Sequence, residues 1–293
     1  VLEVFSKRWR GSTPAQAMAN AAAHTTLGFA EYPPVDPATV AMRFGATVIV
    51  RPGRRGSPGS ALQEHGRLSV RENRWVVEVP VETTAERRRF SIAHEIGHIL
   101  LFDAAADNPD LVAQLRSPVL WKRVERLCNI GAAHLLMPTA VFTAAVMELL
   151  PPDRDNVEML ASRFWVSLPA AARRIAEVQN DWSVIFWEHS LKHPRGPAWR
   201  TASSQHQVGP AFLPKGLSSS RLRPDIVEDA AREGYSQAPI VLADLPGLER
   251  MNCARAWRVR SSRPELLSSD EGLSARQKER VFMFFKSAEQ PEG

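Results

Sequence analysis

Phe90-Ser-Ile-Ala-His94-Glu95-Ile-Gly-His98-Ile-Leu is the stretch from which the rest of the chain is read. His94 and His98 stand at i and i+4, one helical turn apart on one face, so both imidazoles can reach a single metal ion, with Glu95 beside them as a general base. The bare HExxH pattern also arises by chance, so its surroundings decide. Upstream, Thr83-Thr84-Ala85-Glu86 places Thr83 and Glu86 at capping-box spacing, and no proline interrupts the run before Phe102. The spacing therefore predicts a helix with the motif at its middle. Phe90, Ile92, Ala93, Ile96, Ile99, Leu100 and Leu101 are apolar enough to bury it. Gly97, between the histidines, lowers helix propensity and marks a point of close packing.

A third ligand is offered downstream, in Ser117-Pro-Val-Leu-Trp-Lys-Arg-Val-Glu125-Arg-Leu-Cys128-Asn129-Ile-Gly-Ala-Ala-His134-Leu-Leu-Met-Pro138. Ser117 as N-cap with Pro118 at the first helical position starts a helix, and Pro138 ends it. Two histidines and a carboxylate, Glu125, leave a fourth position open, as in catalytic rather than structural zinc sites.

These two segments resemble those of the ImmA/IrrE metallopeptidases. The likeness rests on Arg88-Arg89-Phe90-Ser91-Ile92-Ala93-His94-Glu95-Ile96-Gly97-His98 and on Glu125-Arg-Leu-Cys128-Asn129-Ile-Gly131-Ala132-Ala133-His134-Leu135-Leu136-Met137-Pro138, with Leu160 to Ser167 fitting the segment that follows. It covers roughly the first 175 residues, and the Cys-Asn-x-Gly-Ala-Ala run is that of the deinococcal IrrE type. Carried over, His94, His98 and Glu125 take the metal-ligand positions and Glu95 the catalytic position. His134 departs from the family pattern. At about 100° per residue it faces away from Glu125, so it is read as a partly buried polar residue packed elsewhere. Asn129, one turn after Glu125, is either a partner that orients the carboxylate or an ordinary surface amide.

The chain has 293 residues, 44% of them hydrophobic, enough for two domains or a domain with appendages. Its two cysteines, Cys128 and Cys253, exclude a disulfide scaffold and a CxxC knuckle. Cys128 reads as a small buried hydrophobe rather than a ligand. With no long apolar run, neither a signal peptide nor a membrane span is expected, and the reading is cytoplasmic. The net charge of +5 is modest. Arg51, Arg54 and Arg55 in the loop to Ser60, and Arg87-Arg88-Arg89, could attract an acidic partner, although solvated surface is the favoured reading.

The fold expected is α+β. It comprises a zincin-like metallopeptidase domain with a small sheet and the HExxH helix (1–150), a helix-turn-helix-like helical segment (151–180) and a small α+β domain of regulatory or sensor type (181–293). Helices are predicted over Pro14–Gly28, Pro37–Phe44, Thr139–Leu149, Asp153–Phe164 and Pro169–Val178. Strands are predicted over Ala46–Arg51 and at a hairpin of Gly66–Arg71 and Arg74–Val79 turning at Glu72-Asn73. That hairpin is either an ordinary one or the strand on which an extended substrate docks. Beyond Asp181, strands are expected at Asp181–Trp187, Pro239–Ala243, Ala256–Arg260 and Arg280–Lys286, with a helix near Asp225–Glu233 and long loops over His193–Ser220. The IrrE type resembles a GAF sensor domain there, a likeness these residues do not carry.

The site implies zinc, with manganese or iron as alternatives on the same ligands, lowering the pKa of a bound water towards ~7 while Glu95 takes its proton. No oxyanion donor or substrate-binding residue is assigned; the two tyrosines, Tyr32 and Tyr235, have no supporting motif. The resemblance implies an endopeptidase that cuts a helix-turn-helix repressor of the XRE type and so releases a stress or mobile-element regulon. The alternative is a non-proteolytic transcriptional regulator or partner-binding protein that retains the metal site. Direct DNA binding is not favoured, since Arg173-Arg174 is the one adjacent basic pair on the second helix of the helix-turn-helix. A deformylase is disfavoured because no cysteine precedes His94.

Overall fold

A computed structural model of the protein describes residues 1–28, 33–52, 66–179, 181–190, 198–205, 217–242, 251–265 and 276–287. The chain divides into two compact units, Val1–Glu148 with Glu158–Ala171, and Leu149–Val157 with Ala172–Gly293. The helical segment expected between domains is thus shared between them.

The first unit opens with α1 (Leu2–Arg8), α2 (Pro14–Thr25) and α3 (Pro37–Arg43). The side chains of Thr13 and Asp36 cap α2 and α3, each ahead of a proline at the helix start. A three-stranded sheet follows, of β1 (Thr47–Arg51), β2 (Arg67–Arg71) and β3 (Arg74–Pro80), in the order β1-β3-β2. Glu72 and Asn73 adopt φ of 49° and 60°, the left-handed pair that a two-residue hairpin requires. β1 runs parallel to β3 and β2 antiparallel to it. Central β3 buries Val76, Val77 and Val79, together with Glu78, whose carboxylate takes both Arg51 and Arg71. Arg51 is therefore committed to a buried acid, and Arg54 and Arg55 lie outside the described residues.

Helix α4 (Ala85–Ala105) carries the HExxH motif. Its N-cap is Thr84, which accepts from the Arg87 N–H, and not Thr83, whose hydroxyl donates to the Pro80 carbonyl. Both threonines could cap; the end of β3 engages the first and leaves the second. Three further helices follow, α5 (Pro109–Leu115), α6 (Pro118–Leu136, capped by Ser117) and α7 (Thr139–Glu148). Of these α5 is not anticipated from the sequence. Helix α6 packs against α4 and against alanine-rich α2, whose Ala17, Met18, Ala21 and Ala22 are fully buried.

The Arg87-Arg88-Arg89 run is not simply solvated. Arg89 is buried, donates to the carbonyls of Val35 at 2.6 Å and Trp165 at 3.2 Å, and lies 4.7 Å from the Trp165 ring centroid. Trp165 ends α8 (Arg154–Phe164) at φ 49°, and Val166 N–H returns to Ala161 O, so this guanidinium holds a left-handed helix terminus that a tryptophan enters only at a cost. Arg89→Leu strands two carbonyls and is expected to lower stability by about 2–4 kcal/mol, read from the denaturation midpoint. A smaller loss, about 1 kcal/mol, is expected for Asp36→Ala. Burial pushes the Asp36 carboxyl up, but hydrogen bonds from Thr39 and Ala38 outweigh it and hold the group below the ordinary carboxylate value. Its contribution is therefore complete above that ordinary value and disappears as pH falls through the folded pKa.

The second unit is built on one six-stranded sheet in the order β5-β4-β9-β8-β7-β6, made from β4 (Trp182–Ser190), β5 (Ala198–Gln205), β6 (Leu222–Arg223), β7 (Tyr235–Leu242), β8 (Met251–Glu265) and β9 (Arg276–Ser287). All neighbours are antiparallel. Helix α10 (Ile226–Glu233) buries Ile226, Val227 and Ala230 with Trp187, Trp199 and Met283 of the sheet. Strand β5 lies where long loops were expected. Its alternation of buried Trp199 and Thr201 is too short to stand out among the surrounding Pro, Gly and Ser residues, and most of those residues lie outside the described ones. On α9 (Leu168–Val178), Arg174 is buried against Glu177 at 2.9 Å and the Arg173 guanidinium sits 4.6 Å from the Phe186 ring centroid. The basic pair that could have served a DNA-reading helix is engaged within the protein. Among the described residues no single helix is long and apolar enough to cross a membrane.

Candidate metal centre

Two helices deliver the centre. His94 and His98 project from one face of α4 with ring centroids 5.0 Å apart, and Glu125 of α6 meets both: Oε2 lies 3.4 Å from His94 Nε2 and Oε1 3.2 Å from His98 Nε2. The approach of the helices is set at Gly97, where an added Cβ would lie 2.9 Å from the Cα of Cys128. The expectation of close packing at this glycine thus has its cause in a backbone atom of the partner helix.

Electrostatics agree with a place for a cation. Hydrogen bonds from His94 and then His98 hold the Glu125 carboxyl down to about 2, so it is an anion throughout the working range. Burial disfavours the charged His94 imidazole, but the bond to Glu125 and the charges of Glu95 and Glu125 outweigh it and raise its pKa. Asn129 Oδ1 lies 3.0 Å from His94 Nδ1. Its partner is the histidine, so it is neither a partner of the Glu125 carboxylate nor an ordinary surface amide, the two readings the sequence left open; at this position it fixes a proton on Nδ1 and turns Nε2 towards Glu125.

Glu95 is buried, and burial raises its pKa against the pull of His98 and His94. It also meets the sheet. The backbone N–H of Leu68 donates to it, and a Cβ on Gly66 would lie 3.1 Å from its Oε1. The start of β2 therefore runs directly beside the Glu95 carboxylate. His134 is half-buried, with Nδ1 3.3 Å from Thr139 Oγ1, packed elsewhere as expected. Tyr32 lies outside the described residues, and Tyr235 of the second unit donates to Gln237 at 2.7 Å.

Residues 41–176 match the family model of the IrrE N-terminal-like domain, peptidase M78. This region is similar to the ImmA/IrrE peptidases. The radiation response metalloprotease IrrE of Deinococcus radiodurans is 33% identical to it over 130 residues, 43% of this chain and 37% of that protein. The protein of the same name from Deinococcus deserti is 36% identical over 102 residues, 35% of this chain and 36% of its own length. The chain thus spans little more than a third of the curated relatives it matches. A solved structure of a Mycobacterium tuberculosis transcriptional regulator resembles it with a TM-score of 0.58 at 17% identity, over 98% of this chain and 79% of that one, which is a likeness of fold alone.

Within residues 41–176, the donor set fits a divalent cation. Two imidazole nitrogens already point at one anionic carboxylate, so an ion placed among them would replace the shared protons. Trp121, to which the sequence assigned no role, and Cys128, read there as a small buried hydrophobe rather than a ligand, also stand at the centre. The Trp121 ring, one turn before Glu125, stacks on His98 with centroids 5.8 Å apart and planes at 19°. Cys128, one turn after it, is fully buried, and its thiol joins the two imidazoles in a group whose donor atoms lie within 4.8 Å of one another. Both share the Glu125 face by helical spacing, a signal the sequence did contain. Asn129→Leu is expected to weaken metal binding by about 10–100-fold without unfolding the protein, as measured by chelator competition.

Proposed function

We propose that this chain is a zinc-dependent endopeptidase, with manganese or iron as alternative ions, and that His94, His98 and Glu125 hold the metal while Glu95 is the general base. The observation that carries this reading is the convergence of both imidazole Nε2 atoms on Glu125 with the buried Glu95 carboxylate alongside. A divalent ion at these ligands supplies Lewis acidity, polarising a peptide carbonyl and acidifying water. Glu95, held by the Leu68 N–H and raised by burial, accepts a proton from the attacking water and passes it to the leaving amine. Asn129 keeps His94 in the tautomer whose Nε2 faces the centre.

The substrate we propose is an extended segment of a helix-turn-helix repressor of the XRE type, a cytoplasmic regulator whose cleavage releases a stress or mobile-element regulon. Strand β2 supports the peptide part of this reading. It is an edge of its sheet among the described residues, Val70 on it is exposed, and its first residues touch Glu95. A peptide pairing with that edge would lie across the general base. The second unit is proposed as the regulatory element.

The test is co-expression with a repressor encoded beside the gene, comparing wild type with Glu95→Gln and measuring metal in both. Cleavage by wild type alone, at equal metal content, supports the reading. An intact repressor in the presence of both metal-loaded proteins would leave a regulator that works by binding.

A further inference from the structure

The thiol of Cys128 has no role in the chemistry above. Nevertheless it is placed with metal-ligating groups: the donor atoms of His94, His98 and Cys128 all lie within 4.8 Å of one another. Cys128 is completely buried. Its sulfur comes this close because α4 carries a glycine opposite it; a Cβ at position 97 would stand 3.3 Å from Sγ and 2.9 Å from the Cys128 Cα. Glu125 and Cys128 are three residues apart on α6, so carboxylate and sulfur address the histidines from the same helix face.

We infer that Cys128 is a fourth donor to the ion held by His94, His98 and Glu125, forming a closed, thiolate-ligated centre that prefers thiophilic cations. The inference rests on the reading of those three residues as ligands. Zinc–sulfur and zinc–nitrogen bonds of about 2.3 and 2.0–2.1 Å place neighbouring tetrahedral donors closer than the present spread, so closure draws the donors inward by about an ångström. On binding, the sulfur–metal bond forms, the S–H bond breaks, and the proton leaves to solvent. Two imidazoles, a carboxylate and a thiolate fill a tetrahedral shell, so this form is a resting one; the open position needed for hydrolysis belongs to the form without sulfur. A soft sulfur ligand favours zinc, cobalt and cadmium over manganese, which prefers oxygen.

The experiment is a titration of the full chain, wild type and Cys128→Ser, with cobalt(II), followed by absorption. A near-ultraviolet sulfur-to-cobalt charge-transfer band in wild type, absent from the variant while both keep visible ligand-field bands, is the expected result. It should be accompanied by a fall of about 10–100-fold in cadmium affinity in the variant and no change for manganese. Visible bands without the charge-transfer band in wild type would overturn the inference and leave the three-ligand centre standing. Wild type that binds no cobalt would overturn the metal centre, and the inference with it. X-ray absorption on the wild-type cobalt protein needs no variant. A sulfur scatterer in the first shell supports the inference, and a shell of nitrogen and oxygen alone refutes it.

Discussion

Glu95→Gln is expected to lower peptide hydrolysis by about 10²–10⁴-fold while metal content and fold stay as in wild type. Glutamine preserves the volume of the buried side chain and keeps an oxygen to accept the Leu68 N–H, so packing and the seam with β2 are retained. What is lost is the basic oxygen that, in the proposed mechanism, takes a proton from water and returns it to the leaving amine. Glu95 is not among the three groups that meet at the centre, so an ion held there would keep its proposed ligands His94, His98 and Glu125. The two readouts must therefore separate. If metal and activity fall together in the purified variant, Glu95 is a ligand or a structural residue and its assignment as base is wrong. If activity persists at wild-type level, another group carries the proton.

Gly97→Ala should cost both stability and metal affinity. In isolation alanine would favour the helix by about 1 kcal/mol over glycine. Here its Cβ would meet Cα, Cβ and Sγ of Cys128 at 2.9, 3.1 and 3.3 Å, and the nearest of these is backbone. Overpacking of this kind costs about 1–3 kcal/mol, so the propensity gain does not compensate in full. Relief requires α6 to move away from α4, which withdraws Glu125 from the two imidazoles. A fall in metal affinity of at least about tenfold is expected, from calorimetry or chelator competition, alongside a lower denaturation midpoint. Gly131→Ala is the control. Its Cβ would stand 2.8 Å from the Met18 sulfur, a flexible side chain on α2, and metal binding should be unaffected. Wild-type metal affinity in Gly97→Ala would show that the helix seam does not set the ligand geometry.

Much of this architecture is written in local signals. Ser117-Pro118 and Pro138 bracket α6, Asp36-Pro37 starts α3, and Glu72-Asn73 turns the hairpin, because caps, prolines and left-handed residues act within a few positions of themselves. The i, i+4 spacing of His94 and His98 likewise places two imidazoles on one face without reference to any other element. The limits of such signals appear at Thr83 and Thr84, where a contact with Pro80 decides which threonine caps α4. They appear again in β5, whose short alternation acquires meaning only beside β4.

The sequence by itself determined the HExxH helix with His94, Glu95 and His98 on it, and most of the helices and strands on either side, α5 and β5 excepted, since each depends on residues within one or two turns of one another. It did not determine that Asn129 would hold His94 rather than Glu125, that Cys128 would lie with the histidines, that Arg89 and Arg174 would be buried, or that β2 would touch Glu95. Those follow from the crossing of α4 and α6 and from the packing of distant segments. Which atoms face one another at such a seam is fixed by the close approach of two backbones, a relation between residues far apart in the chain that no local spacing records.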